Sequence, residues 1–192
     1  GILAEEMGLG KTIEMLSLIV LHPKSLDNAR NAPSTLSLLP SNATLIATPS
    51  TIQNQWVSEC NRHVPSLHIA TYQGIPKSHS RDQAYIERET TRLAQADIVL
   101  VSYDVLRREV HYARPPSQMV RRGKISESRI PRPLLSILWW RVCLDEAQMV
   151  EGGVSTVSEM ACAIPRIHRW AISGTPFKHT IGDIRQVLLF LQ

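Results

Sequence analysis

The chain has 192 residues, 43% of them hydrophobic and 20% charged, with a net charge of +4 at neutral pH. That balance excludes a disordered chain, and the length suits one ordinary domain or slightly more, with enough chain for a sizeable core. The longest apolar stretches, residues 15–21 and 187–191, are far too short to span a bilayer, so no membrane partner is expected; three scattered cysteines (Cys60, Cys143, Cys162) are too few for a disulfide framework and favour a reducing compartment.

Residues 1–4 read as the end of a buried strand, and because the chain begins with Gly inside that strand it reads as a fragment, truncated at its N-terminus. A loop carrying Gly8 and Gly10 follows, and then Lys11-Thr12 opens an apolar run (Ile13, Met15, Leu16, residues 18–21) that predicts a three-turn helix. This is the layout of a phosphate-binding loop. Glycines let backbone N–H groups curl round an anion, and a helix N-terminus adds unpaired donors and a positive dipole end. Gly8, Leu9 and Gly10 would cradle the phosphates, Lys11 would reach the terminal ones, and the hydroxyl of Thr12 would take a magnesium ion. The general pattern G-x-x-x-x-G-K-[ST] fails at its first glycine, where Glu5 stands. A glycine-bearing turn between a strand and a core helix is the competing reading.

Residues 22–42, with three prolines, predict a long irregular insertion. Residues 43–48 read as a strand stopped by Pro49, after which Ser50 or Thr51 caps a helix to about Arg62, with Trp56 and Val57 on the buried side. Cys60, His63 and His68 lack the second Cys pair that a zinc site at this spacing requires. Residues 67–72 alternate as a strand; residues 80–96 form an amphipathic helix with Ala84, Tyr85, Leu93 and Ala94 on the apolar face. Residues 97–102 form an apolar strand ending in Ser102, followed by a short helix to about Val110. Between Arg107 and Arg132 stand eight basic residues against two acidic ones, leaving 13 against 15 in the rest of the chain. The basic character therefore belongs to one proline-bearing insertion, residues 111–136, which either contacts an acidic partner or is a solvated linker. Residues 137–144 read as a second long apolar strand closed by Asp145-Glu146. Gly152-Gly153 precede a helix ending near Ala163, residues 170–173 form the last strand, and a helix runs from about Asp183 to Leu191. Trp139, Trp140 and Trp170 read as packing residues rather than stacking platforms.

Strands alternating with helices, several of them apolar throughout, imply a mostly parallel sheet with helices on both faces. In such a sheet the carboxyl ends of the strands share one edge, where ligands bind. The polar residues that follow the strands (Glu5 to Thr12, Thr48-Pro49, Ser102, Asp145-Glu146 and Ser173-Gly174-Thr175) would then converge on one cleft. Magnesium bound to a nucleotide takes one or two protein oxygens besides phosphates and waters. Asp145 can serve its outer side through a water and Thr12 its inner side, while Glu146 orients or deprotonates the attacking water. Gln148, two residues on, either contacts the γ-phosphate or relays its state, or is simply solvated.

Taken together, residues 2–14 resemble motif I of the Swi/Snf-type (SNF2 family) helicase-like ATPases of superfamily 2, a family that commonly carries an acid at the position of Glu5. Residues 45–56, with Thr48-Pro49 and Gln55-Trp56, are similar to motif Ia; residues 97–106 are similar to motif Ib; Leu144-Asp145-Glu146-Ala147-Gln148 is similar to motif II; Ser173-Gly174-Thr175-Pro176 is similar to motif III. The run from Trp139 to Glu151 is especially similar to the branch typified by the SNF2-histone-linker-PHD-RING helicase and its fungal relatives.

The resemblance implies a three-layer, RecA-like P-loop domain over residues 1–192, the first of two lobes, with the second lobe absent from this chain. It implies ATP and Mg²⁺ as cofactors, with Lys11, Asp145 and Glu146 catalytic, and a coupling role for Ser173, Gly174 and Thr175. It further implies double-stranded DNA or a nucleosome as partner, with Thr48, Pro49, Ser102 and, in the basic insertion, Arg121, Arg122 and Lys124 as candidate DNA contacts. Hydrolysis would need the second lobe, and a nuclear location, histone or ubiquitin-pathway partners and a RING-type ubiquitin ligase activity of the full-length protein also follow from the branch. A small-molecule kinase or GTPase is disfavoured, because no Asn begins an Asn-Lys-x-Asp guanine signature and no arginine-rich lid follows the loop. A non-catalytic P-loop interaction module within a ubiquitin ligase is the remaining alternative.

Overall fold

Strands with no polar break, such as Leu45-Ile46-Ala47, lose no apolar contact only where both sheet faces are covered. A computed structural model of the chain describes residues 1–6, 8–24, 38–113, 132–150, 156–175 and 181–192. In chain order its elements are β1 (Ile2–Ala4), α1 (Lys11–Leu21), β2 (Leu39–Pro40), β3 (Thr44–Thr48), α2 (Gln53–His63), β4 (Ile69–Tyr72), α3 (Gln83–Ala94), β5 (Ile98–Ser102), α4 (Tyr103–Ala113), α5 (Pro133–Ser136), β6 (Ile137–Asp145), α6 (Thr156–Ala163), β7 (Arg166–Ser173) and α7 (Ile181–Leu191). The sheet runs β1-β7-β6-β3-β5-β4, every described pair is parallel, and the short β2 adds to the start of β6.

Side chains alternate between two cores, one on each face. Leu45, Ala47, Val99, Val101, Val142, Leu144 and Ala171 face a core completed by α4, α6 and α7. Ile46, Ile98, Leu100, Cys143 and Ile172 face a second core completed by Met15, Leu16 and Ile19 of α1 and Trp56 and Cys60 of α2. The period of two in a strand makes this division, and it gives the three-layer architecture expected from the sequence. Two buried polar anchors fix α1 against the sheet: Trp140 Nε1 and an Arg141 guanidinium nitrogen both donate to the carbonyl of His22, at 3.2 and 3.0 Å. Trp139 is wholly buried and donates to Leu134 O, so it packs as expected.

Several expectations are corrected. β1 is largely exposed rather than buried, because among the described residues it pairs on one side only, with β7. Neither Ser50 nor Thr51 caps α2: residues Ser50–Ile52 form a 3₁₀ turn, and Ile52 stands at the helix start with no side-chain cap. The buried face of α3 is Ile86, Thr90 and Leu93, an i, i+4, i+7 stripe that Ala84 lies off, leaving it exposed. β7 is four residues longer at its start than the sequence predicts, since pairing along β6 extends it to Arg166. Most of the first insertion, Gly152-Gly153, and residues 114–131 of the basic insertion, Arg121, Arg122 and Lys124 among them, lie outside the described residues. Among the described residues no helix is long and apolar enough to cross a membrane.

One buried acid sits on α4 beside the end of β4. Glu109 of α4 is 5% exposed; its Oε1 accepts from the Tyr72 hydroxyl at 2.7 Å, and among the described residues Oε2 has no partner. Burial holds its carboxyl above the usual range, against the pull of the Tyr72 and Ile75 hydrogen bonds and of Arg132 and Arg108. A raised native value means that the folded state binds the proton more tightly than the unfolded chain. The contribution is thus fully present below the unfolded value of about 4.3 and is lost as pH rises through the folded value. Glu109→Gln should remove this falling limb from a plot of unfolding free energy against pH, measured by urea denaturation; an unchanged slope would count against it.

Candidate nucleotide site

The parallel register sets the strand ends side by side. Thr48 pairs with Ser102, Ala47 with Leu144, Asp145 with Ile172, and Ala4 with Ser173, so five segments scattered along the chain finish along one edge. α1 begins at Lys11, directly after a loop whose Gly8 and Gly10 have φ of +89° and +94°. Both values lie in the left-handed region that favours glycine, and Gly10 has no side chain with which to cap the helix. The first N–H groups of α1 therefore have no intrahelical acceptor and no side-chain cap from Gly10, the condition in which a helix start receives an anion. The Lys11 ammonium is folded onto this loop, donating to the carbonyls of Glu5 at 2.7 Å and Glu6 at 2.8 Å. Interaction with the Glu5 carboxyl is the first cause holding Glu14 above the usual carboxylate range.

Gly8, Gly10, Lys11, Thr12, Trp56, Glu59, Asp145 and Glu146 line one cleft of about 340 Å³. Asp145 is 8% exposed, and its two oxygens are held from different directions. Oδ2 accepts from Trp56 Nε1 at 2.7 Å, Oδ1 from the Glu146 N–H at 2.9 Å, and the backbone carbonyl from the buried Tyr103 hydroxyl at 2.6 Å. Burial pushes the Asp145 carboxyl up, the Trp56 bond opposes this, and the neighbouring Glu146 charge pushes it up further. Glu146 takes φ of +52°, the one non-glycine residue at positive φ among the described residues. That conformation costs of the order of 1 kcal/mol or more and recurs at functional sites.

Around Glu146 runs a chain of hydrogen bonds with a single direction. The Thr175 N–H donates to Ser173 Oγ at 3.1 Å, the Ser173 hydroxyl donates to Gln148 Oε1 at 2.7 Å, and Gln148 Nε2 donates to Glu146 Oε2. An amide is the residue type that can accept at one end and donate at the other, so Gln148 links the strand end of β7 to the acid after β6.

The structure brings Gly8, Gly10, Lys11, Thr12, Asp145 and Glu146 to one cleft and joins Gln148, Ser173 and Thr175 to it by hydrogen bonds. Leu9 is exposed beside it. It does not present Thr48 and Ser102 to a ligand: both side chains are buried, and Ser102 Oγ accepts from the Val105 N–H at the start of α4. Pro49 is half-buried and is followed by exposed Ser50 and Thr51. Among the described residues no three His, Cys, Asp or Glu side chains are grouped as metal ligands; burial pushes the Cys60 thiol up to about 11 and Cys143 up to about 12, and His63 pairs with Glu59. Sequence reasoning missed that Trp56 and Tyr103 both hold Asp145. The Gln55-Trp56 pair was visible, but its partner lies 89 residues away.

A parallel α/β sheet with a glycine loop opening a helix and an acidic strand end in the same cleft defines a P-loop nucleotide-binding domain. The family model of the SNF2-related domain matches residues 1–192, and the chain belongs to that family of helicase-like ATPases. It is 43% identical over 156 residues to the mouse E3 ubiquitin-protein ligase SHPRH, an alignment that covers 78% of this chain and 9% of that protein. It is 34% identical over 196 residues to the ATP-dependent helicase IRC20 of Saccharomyces cerevisiae, covering all of this chain and 12% of the relative. The Sulfolobus solfataricus SWI2/SNF2 ATPase core, solved with double-stranded DNA, has the same fold, with a TM-score of 0.60 at 21% identity, over all of this chain and 31% of that one. The chain thus spans about a tenth of the length of these curated relatives.

Gly10→Ala places a Cβ in open space, with nothing within 4 Å, so any cost is backbone strain and not a clash. The expected loss is about 1–2 kcal/mol of stability in a denaturant titration. No loss would mean that the loop can leave the left-handed conformation freely.

Proposed function

We propose that this chain is the first RecA-like lobe of an ATP-dependent double-stranded-DNA translocase acting in chromatin remodelling or DNA repair in the nucleus. The observation that supports this best is the meeting of Lys11, Thr12, Asp145 and Glu146 in one cleft of an SNF2-family domain. Two hard oxygen groups, the Thr12 hydroxyl and the Asp145 carboxylate, line that cleft. They fit a magnesium ion that takes its other ligands from phosphates and water.

In this reading the loop N–H groups around Gly8, Leu9 and Gly10 receive the phosphates, and Lys11 exchanges the carbonyls of Glu5 and Glu6 for phosphate oxygens. Thr12 and Asp145 would hold the magnesium, which would supply charge neutralisation at the phosphates. Glu146 orients and deprotonates the attacking water. Gln148 keeps the Glu146 carboxylate in place and passes the state of Ser173, Gly174 and Thr175 to it. An arginine from a second lobe completes charge neutralisation, so this lobe alone binds ATP but turns it over slowly. DNA phosphates are contacted near Pro49, through the exposed Ser50 and Thr51 rather than the buried Thr48 and Ser102, and by Arg121, Arg122 and Lys124. Histone or ubiquitin-pathway partners and ligase activity belong to the whole protein.

The test is ATP hydrolysis by the full-length protein with no nucleic acid, double-stranded DNA, single-stranded DNA or RNA, with Lys11→Ala alongside. Double-stranded DNA should stimulate strongly, and the substitution should lower turnover by about a hundredfold or more, the scale of removing a preorganised charge from the phosphates. Stimulation by RNA alone, or activity surviving Lys11→Ala, overturns the reading.

A further inference from the structure

Trp56 sits on α2, outside both the glycine loop and the acidic strand end, yet it touches the functional carboxylate more directly than most of the cleft. It is 2% exposed, packed among Met15, Leu16, Cys60 and Cys143 in the core under α1 and α2, and its Nε1 donates to Asp145 Oδ2 at 2.7 Å. Packing alone does not account for that contact. An indole has one donor, and a buried donor without an acceptor costs about 1–3 kcal/mol, so the donor and the core position must have been matched. The other core tryptophans spend their donors on backbone carbonyls: Trp139 on Leu134 and Trp140 on His22. Trp56 alone among these three reaches a carboxylate.

The effect on Asp145 is geometric. With Oδ2 held by the indole and Oδ1 by the Glu146 N–H, the carboxylate cannot rotate about its terminal bond without breaking a charge-assisted hydrogen bond. Each oxygen keeps a second lone pair, and the residue lines the cleft together with Thr12 and Lys11. Carboxylates that serve a metal are commonly oriented by such outer hydrogen bonds, whose loss costs 10–100-fold in metal affinity or activity.

We propose that Trp56 is a positioning residue for magnesium: its indole N–H fixes the Asp145 carboxylate in the orientation that serves the ion, as a bond additional to its role in the core. This rests on the Mg·ATP reading above. It assigns a function to the α2 tryptophan that the glycine loop and acidic strand end do not supply. Because α2 follows the Pro49 turn, it also makes the placement of that helix a condition for a competent metal site.

The experiment uses the 192-residue chain and a fluorescent ATP analogue, with dissociation constants measured in Mg²⁺ and in EDTA for wild type, Trp56→Phe and Asp145→Asn. Phenylalanine keeps an aromatic body in the core and deletes the donor. Wild type should bind more tightly with Mg²⁺, and Asp145→Asn should lose that enhancement. Trp56→Phe should reduce it roughly tenfold while the EDTA value stays unchanged, a split that a purely structural residue would not produce. Full enhancement in Trp56→Phe with loss in Asp145→Asn overturns the role of Trp56 and leaves the magnesium site standing. Full enhancement in both variants removes the magnesium site and the role of Trp56 with it.

A second measurement decides the matter where Trp56→Phe does not fold. The chain labelled with ¹⁵N-tryptophan gives four indole cross-peaks, from Trp56, Trp139, Trp140 and Trp170. One should move in Asp145→Asn and move again on addition of Mg·ATP, with those of Trp139 and Trp140 as fixed references. If no indole resonance responds to Asp145→Asn, the hydrogen bond carries no positioning role and the proposal falls.

Discussion

The cleft depends on one constraint, the parallel register between β3, β6 and β7. It aligns Ala47 with Leu144 and Asp145 with Ile172, so that the acid after β6 comes level with the ends of its neighbours. β7 in turn aligns Ser173 with Ala4, the last residue before the glycine loop. A slip of one residue in any of these pairs would turn the strand over and exchange the two cores, sending Leu144 and Val142 to the face that Cys143 now occupies. The register is therefore held by burial on both faces, and the site inherits its precision from the core.

On that frame the polar groups form one connected object rather than a set of motifs. The ammonium of Lys11 rests on the loop it would leave for phosphate, Asp145 is fixed on three sides, and Glu146 is held in the left-handed region with Gln148 bonded to its carboxylate. Strain at Glu146 persists because the neighbours over-determine its position. The same bonds join the end of β7 to the Glu146 carboxylate, each donor in the chain pointing the same way. Burial works against the charge on Asp145, and the Trp56 and Glu146 hydrogen bonds work to retain it.

Much of this was legible beforehand because it rests on local chemistry. The glycines at positions 8 and 10, the Lys-Thr pair that opens α1 and the apolar strand ending in Asp145-Glu146 can each be read from neighbours in sequence. Glu5, an objection to the phosphate-loop pattern when read alone, lies within the residues that the SNF2-related family model matches. The misreadings have equally local causes. Ser50 and Thr51 are good capping residues, but the chain makes a 3₁₀ turn there first and leaves them exposed. Thr48 and Ser102 end their strands as expected, yet end them inside the protein, where Ser102 serves α4.

The sequence by itself determined the class of fold, the glycine loop that opens α1, the acidic strand end and the likeness to helicase-like ATPases, since periodicity and short spacings survive without a third dimension. Only the tertiary structure decided which distant groups finish the site. Trp56 meets Asp145 across 89 residues, Tyr103 across 42 and Gln148 meets Ser173 across 25. Those contacts follow from helices laid over a parallel sheet, where crossover connections place residues far apart in the chain at adjacent strand ends, and no local pattern encodes that adjacency.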